Sequence, residues 1–216
     1  MNGAPLTAAV YEQTHANGVW QTAMPMLGNT ADPYSFNNGV ILGDRATLWF
    51  DRQPKSLAMP RVIGHLGLQT FDELFHPELP DVKQPAITSD GTHLYYSRTN
   101  TSELQYGTIT GNLLGNESTL VNPAGLTFES ASVSQDGTAL YVTGSDAMFT
   151  SIYLAIPNAL HTGYTDHQRV DPFQLEGHDY FDPSLSPDGA TLVFASTFES
   201  ARPRIYYVTR NLGCAP

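Results

Sequence analysis

The segment Glu176-Gly177-His178-Asp179-Tyr180-Phe181-Asp182 gathers carboxylates and an imidazole in one short run of chain. Carboxylates placed this way can hold a hard cation through oxygen, orient a polar ligand, or divide the work of acid and base. Glu129 and Asp81 stand before comparable apolar runs earlier in the sequence. The alternative use is structural, with acidic side chains capping strand ends and accepting hydrogen bonds from loop amides. Other chemistry is poorly provided for. The seven histidines show no His-x-x-x-His pair or other zinc spacing, and no EF-hand loop occurs. Gly144-Ser145-Asp146 lacks the second glycine of a nucleophile elbow. Neither lysine, Lys55 or Lys83, follows a glycine as a phosphate loop requires.

Charge narrows the partners. With 21 acidic against 10 basic residues the net charge is −11, which argues against nucleic acid, since phosphate binding needs a clustered basic face. An anionic membrane surface is disfavoured on the same ground. The single Cys214 permits no internal disulfide. No apolar run approaches the roughly 20 residues of a membrane-spanning helix, and Met1-Asn2-Gly3-Ala4-Pro5 lacks the basic and apolar regions of a signal peptide.

The elements that must position the acidic residues are hairpins. Within Tyr180 to Ser196, Pro187-Asp188-Gly189 is a tight turn with a short run rich in branched and aromatic residues on either side. The unit recurs around Asp90-Gly91 and Asp136-Gly137, and in degenerate form around Asp44. Three residues before the aspartate stand Ile41, Ile87, Val133 and Leu185; four after it stand Leu48, Leu94, Leu140 and Leu192. Spacings of 46, 46 and 52 residues separate the four aspartates, a period of blade or solenoid repeats. Hairpins rather than helices decide for a propeller.

The run Asp182-Pro-Ser-Leu-Ser-Pro-Asp-Gly-Ala-Thr-Leu-Val-Phe-Ala-Ser196, followed by Arg204-Ile205-Tyr206-Tyr207-Val208-Thr209-Arg210, resembles the TolB-type, WD40-like β-propeller repeat. The sequence therefore predicts a single all-β domain over residues 1–216, a small propeller of four blades with five as the rival count. Inner hairpins fall near 36–51, 84–98, 130–144 and 182–196. Further strands are expected at Leu6–Gln13, Gly18–Leu27, Arg61–Gly64, Glu103–Thr110, Ser151–Ile156 and Val170–Leu175, with a loop from Pro157 to about Asp166. Gly18–Leu27 is expected to complete the last blade, closing the ring with strands from both ends of the chain.

In a propeller the start of an inner strand opens onto the central channel. His178, Asp179, Asp182, Glu129 and Asp81 then become the expected ligand-binding residues at its mouth, and calcium is a possible cofactor there. The leading expectation is a non-enzymatic binding or scaffold module for a protein or a small polar ligand such as a carbohydrate. The resemblance implies a periplasmic or extracellular setting. Asn29-Thr30-Ala31-Asp32-Pro33-Tyr34 is similar to the aspartate-proline start of five-bladed glycoside hydrolases. That similarity implies a second reading, a glycan-active enzyme with Asp32, Glu129 and Asp182 as its carboxylates. A third is a propeller fragment that assembles with copies of itself. The strand aromatics, Tyr95, Tyr96, Tyr141, Phe194, Tyr206 and Tyr207, are expected to pack chiefly between blades, and Trp20 and Trp49 in the core.

Overall fold

The structure, a computed structural model, describes residues 82–98, 101, 103–134, 136–170, 178–186, 188–198 and 203–209. Before residue 82 it describes the backbone of the strands given below and the side chains of Trp49, Phe50, Asp51 and Ile63. Every described element is a strand. The N-terminal strands are β1 (Val10–Glu12), β2 (His15–Ala16), β3 (Val19–Trp20) and β4 (Met24–Leu27); β1 pairs with β4 and β2 with β3. A four-stranded antiparallel sheet follows in the order β5 (Tyr34–Ile41), β6 (Leu48–Pro54), β7 (Val62–Leu66) and β8 (Phe71–Glu73). The next has β9 (Val82–Ile87), β10 (His93–Arg98), β11 (Leu104–Thr110) and β12 (Leu113–Thr119). A third has β13 (Thr127–Val133), β14 (Leu140–Ser145), β15 (Thr150–Pro157) and β16 (Tyr164–Arg169). The last has β17 (Tyr180–Leu185), β18 (Thr191–Ser196) and β19 (Arg204–Thr209). The first strands of successive sheets, β5, β9, β13 and β17, are neighbours in space, and β1 lies beside β5.

The repeated turn is a hydrogen-bonded device. Thr88 donates its hydroxyl to Asp90 at 2.6 Å, and the Thr92 amide donates to the same carboxylate oxygen at 3.0 Å. Ser134 with Asp136, and Ser186 with Asp188, repeat it at 2.6 and 2.5 Å. Gly91, Gly137 and Gly189 follow with φ of 72°, 73° and 69°, a conformation that costs glycine nothing. These aspartates therefore fasten turns. Their hydrogen bonds hold the Asp90 carboxyl down at about 2 and shift Asp136 in the same direction.

Sheets join through apolar seams, each built from the same repeat positions. Trp49 and Ile63 pack against Val82, Ile87, Leu94 and Tyr96 of the following sheet. Ala86, Tyr95, Leu104 and Tyr106 meet Phe128, Leu140, Val142 and Ala155. Ile152 and Tyr141 meet Tyr180, Leu192 and Phe194. Ladder partners define a third-strand position occupied by Ile63, Leu104, Ile152 and Ile205, opposite Asp51, Ser97, Thr143 and Ala195. The first three are 2%, 0% and 0% exposed, and Ile205 is 74% exposed. The last sheet thus turns toward solvent the face that its predecessors bury.

Several expectations need correction. Met24–Leu27 does not pair with β19; its ladder partner is β1. The last sheet holds three strands among the described residues, so the closure expected from Gly18–Leu27 does not form there. Where a loop was expected through Asp166, Tyr164–Arg169 is the fourth strand of its sheet. Its side chains are mostly exposed and polar, so neither alternation nor hydrophobicity marked it. Leu113–Thr119, likewise exposed, went unnoticed for the same reason. The expected strand Val170–Leu175 lies outside the described residues after Val170. Trp49, Tyr95, Tyr96 and Phe194 are buried as expected, whereas Tyr207 is not; the Trp20 side chain lies outside the described set.

Candidate functional site

Six residues before each turn aspartate the inner strand bulges. Gln84, Ser130 and Asp182 occupy this position with φ of 55°, 51° and 51°, and the ladder register shifts at each of them. The β5–β6 ladder shifts at the corresponding place, between Asn37 and Val40. A left-handed residue in a strand re-aims its side chain out of the pleat, and a non-glycine there costs about 1–3 kcal/mol.

The re-aimed side chains meet across the seams. Gln84 Nε2 donates to Ser130 Oγ at 2.5 Å, and Ser130 Oγ donates to Asp182 Oδ1 at 2.6 Å. A chain of polar contacts therefore links three successive inner strands and ends on a carboxylate. The second strands support it. The Gln84 amide donates to Asp51 Oδ2 at 2.9 Å, and the Asp182 amide donates to Thr143 Oγ1 at 2.9 Å. Asp51 and Thr143 stand seven residues after their turn positions. Ser97 occupies the same place in β10 and is buried, but its hydroxyl has no hydrogen-bond partner.

Gln84, Ser130 and Asp182 line a cavity of about 450 Å³, together with Lys83, Glu129, Thr143 and Asp179. The cavity gathers three of the sequence-derived site residues, Glu129, Asp179 and Asp182. Asp179 also fulfils the structural alternative, since its Oδ1 accepts the Thr150 amide at 3.1 Å and its own amide donates to Thr197 Oγ1 at 3.1 Å. His178 is not part of the lining; its ring meets Phe198 edge-on at 5.5 Å. Asp81 and Asp32 lie outside the described residues. Gln84, Ser130 and Thr143 were missed, although counting back from each turn aspartate would have found the first two. Among the described residues, no group of three or more His, Cys, Asp or Glu is arranged to hold a metal ion.

A second, smaller cavity of about 260 Å³ lies on the side of the turns, lined by Asp90, His93, Tyr95, Asp136 and His161. His161 stacks on Tyr106 with ring centroids 3.8 Å apart and planes 4° from parallel. Its Nδ1 lies 3.0 Å from the Tyr95 hydroxyl, and His93 Nδ1 lies 2.6 Å from the Tyr106 hydroxyl. Burial, aided by the neighbouring His93, pushes the His161 pKa down. Burial likewise pushes the Tyr95 and Tyr106 hydroxyls up. The cluster clamps the 158–163 loop of one sheet onto β10 and β11 of the preceding one.

No family model and no curated protein matches the chain. Solved structures do share its fold. A luciferin-regenerating enzyme matches over 99% of this chain and 76% of its own, with TM-score 0.60 and 14% identity. TolB from Acinetobacter baumannii matches over 93% of this chain and 46% of its own, with TM-score 0.60 and 15% identity. The β-propeller domain of Cps50 (Swd1) from Myceliophteria thermophila matches over 93% and 64%, with TM-score 0.53 and 10% identity. The chain spans less than half the length of that TolB. At such identities the likeness concerns the fold alone. The protein has a TolB-like, WD40-like β-propeller fold, all-β in every described element. Among the described residues, no helix is long and apolar enough to cross a membrane.

Proposed function

We propose that this chain is a non-enzymatic binding propeller that holds a small polar ligand in the channel-mouth cavity. One observation carries the reading: a hydrogen-bonded chain through Gln84, Ser130 and Asp182 delivers fixed donors and acceptors into a single polar cavity. Preorganised groups spend little entropy on binding. The Glu129 and Asp182 carboxylates with the hydroxyls of Ser130 and Thr143 suit a ligand bearing hydroxyls or a positive charge, such as a sugar or an amine. A periplasmic or extracellular setting accords with the TolB-like fold. The test is a thermal melt against simple and polymeric sugars, polyamines and calcium, with a chelator control. A ligand bound by the folded state alone stabilises it by about 2.7 kcal/mol at a hundred times its dissociation constant. A midpoint that no member of the panel raises would remove the reading.

A glycan-active enzyme is the second reading, favoured by the presence of Glu129 and Asp182 in one cavity. Glycoside hydrolysis needs two carboxyl groups about 5–10 Å apart. Release of reducing sugar that disappears in both Glu129→Gln and Asp182→Asn would establish it; intact polymer after prolonged incubation with the wild type would dismiss it.

A further inference from the structure

The turn-side cavity of about 260 Å³ stands where two repeated turns meet. A Cβ on Gly137 would lie 3.4 Å from Thr88 Cγ2, so the Asp90 and Asp136 turns stand side by side. Both carboxylates line the cavity, with His93, Tyr95 and His161. His161 arrives there on left-handed backbone, with φ of 51°, a costly conformation for a non-glycine residue and one that gathers at functional sites. The clamp on the 158–163 loop uses the Nδ1 atom of each imidazole, against the hydroxyls of Tyr95 and Tyr106. The carboxylates belong to the turns instead. The Thr88 hydroxyl and Thr92 amide go to Asp90 Oδ1, and the Ser134 hydroxyl and Thr138 amide go to Asp136 Oδ1. An ionised carboxylate accepts about four donors over its two oxygens, so each retains capacity for a ligand. The next seam shows that the fold does not require such a lining. There Tyr141 and Gly189 stand where Tyr95 and Gly137 do, at the same distances from their turn aspartates. Their cavity, of about 220 Å³, is lined mainly by Val170, Leu185, Leu192 and Val208. The place of His93, three residues after the aspartate, is taken by Ala139.

We propose that the turn-side cavity is a socket for a guanidinium group, such as that of an arginine side chain. Its volume lies below the roughly 300 Å³ at which pockets for whole small molecules begin, so it suits one side-chain-sized group. Two carboxylates from separate turns call for a cation. Hydrogen bonds within the turns hold the Asp90 carboxyl down at about 2 and lower that of Asp136. Burial, aided by His93, keeps His161 uncharged at neutral pH, so this imidazole does not repel a cation. A guanidinium is planar, carries its donors in a rigid fork and stacks on aromatic rings, whereas an ammonium is a compact point charge. Its fork pairs with carboxylates through parallel hydrogen bonds. Carboxylate acceptors beside the rings of His93, Tyr95 and His161 supply both kinds of contact. The net charge of −11 favours the approach of any cation; the lining selects among them.

Chemical-shift titration of the histidine ring protons tests the socket, with N-acetyl-arginine amide as the probe and N-acetyl-lysine amide as its control. The arginine compound is expected to move the His93 and His161 signals saturably and to bind about tenfold more tightly than the lysine compound. Asp90→Asn and Asp136→Asn, which keep a side-chain carbonyl for the turn, are each expected to weaken binding about tenfold. Asp188→Asn makes the same charge change at the equivalent turn outside the cavity, and should bind as the wild type does. A capped peptide with one arginine between glycines separates the sources of the group. Tighter binding than the amide marks a polypeptide partner; equal binding marks the arginine side chain alone. Lysine binding as tight as arginine overturns the proposal, and this comparison needs no variant. So does an arginine titration that leaves both imidazoles unmoved, or a loss as large in Asp188→Asn as in Asp136→Asn. None of these readings depends on the channel-mouth cavity.

Discussion

Ser130 donates its hydroxyl to Asp182 at 2.6 Å across the seam between β13 and β17, and both residues hold left-handed backbone at the same position of their repeats. The contact joins two sheets and fixes a carboxylate at the cavity. Asparagine tolerates this backbone, whereas a β-branched side chain does not. Asp182→Asn is therefore expected to stay close to wild-type stability, and Asp182→Val to lose about 1–3 kcal/mol. Urea unfolding of the two variants measures the difference; equal losses would show that backbone conformation is not what matters there.

The Thr143 hydroxyl accepts the Asp182 amide at 2.9 Å, while Ser97 at the equivalent position is buried with its hydroxyl unpartnered. Removing the acceptor from a part-buried amide costs up to about 1–3 kcal/mol, but removing a hydroxyl that bonds nothing costs no hydrogen bond. Thr143→Val should thus be clearly destabilising. Ser97→Ala should be neutral or slightly stabilising. Paired thermal melts decide it, and a larger loss at Ser97 would contradict the assignment.

Turn aspartates set the response to acid. Asp90 titrates near 4 in the unfolded chain and at about 2 in the fold, first because of the Thr88 hydroxyl and then the Thr92 amide. A lowered carboxyl pKa contributes stability above the unfolded value and loses it as pH falls through the folded one. Asp90→Asn should accordingly flatten part of the stability loss between about pH 4 and 2. Urea midpoints recorded across that window provide the check. An unchanged slope would mean that the Thr88–Asp90 hydrogen bond is too solvent-screened to register.

His161 sets a second window. Its pKa is pushed down by burial and by His93, so the unfolded chain takes up the proton first as pH drops below about 6.5. Stability should fall on acidification through that range and be fully present above it. His161→Asn, chosen because φ at this residue is 51°, should be less stable at neutral pH and show a shallower fall toward pH 5. Melting midpoints at several pH values test this; parallel curves for variant and wild type would refute it.

The repeat made the fold legible. Leu94, Leu140 and Leu192, all at the same distance from a turn aspartate, are core residues of successive seams. The outer strands were hard to see because Tyr164–Arg169 and Leu113–Thr119 bury little and owe their conformation to ladder hydrogen bonds. The site was legible in part. Acidic residue types led to Glu129, Asp179 and Asp182, but not to Gln84 or Ser130, whose importance comes from backbone conformation. His178 attracted notice by its type, while its surroundings are the aromatic edge of Phe198.

The most direct test of the binding account compares the wild type with the Glu129→Gln/Asp182→Asn double variant in thermal melts against the sugar, polyamine and calcium panel. The account predicts that at least one ligand raises the wild-type midpoint and that the same ligand leaves the double variant unmoved, at similar unliganded midpoints. A shift that persists in full in the variant, or a wild type indifferent to every ligand, would contradict it.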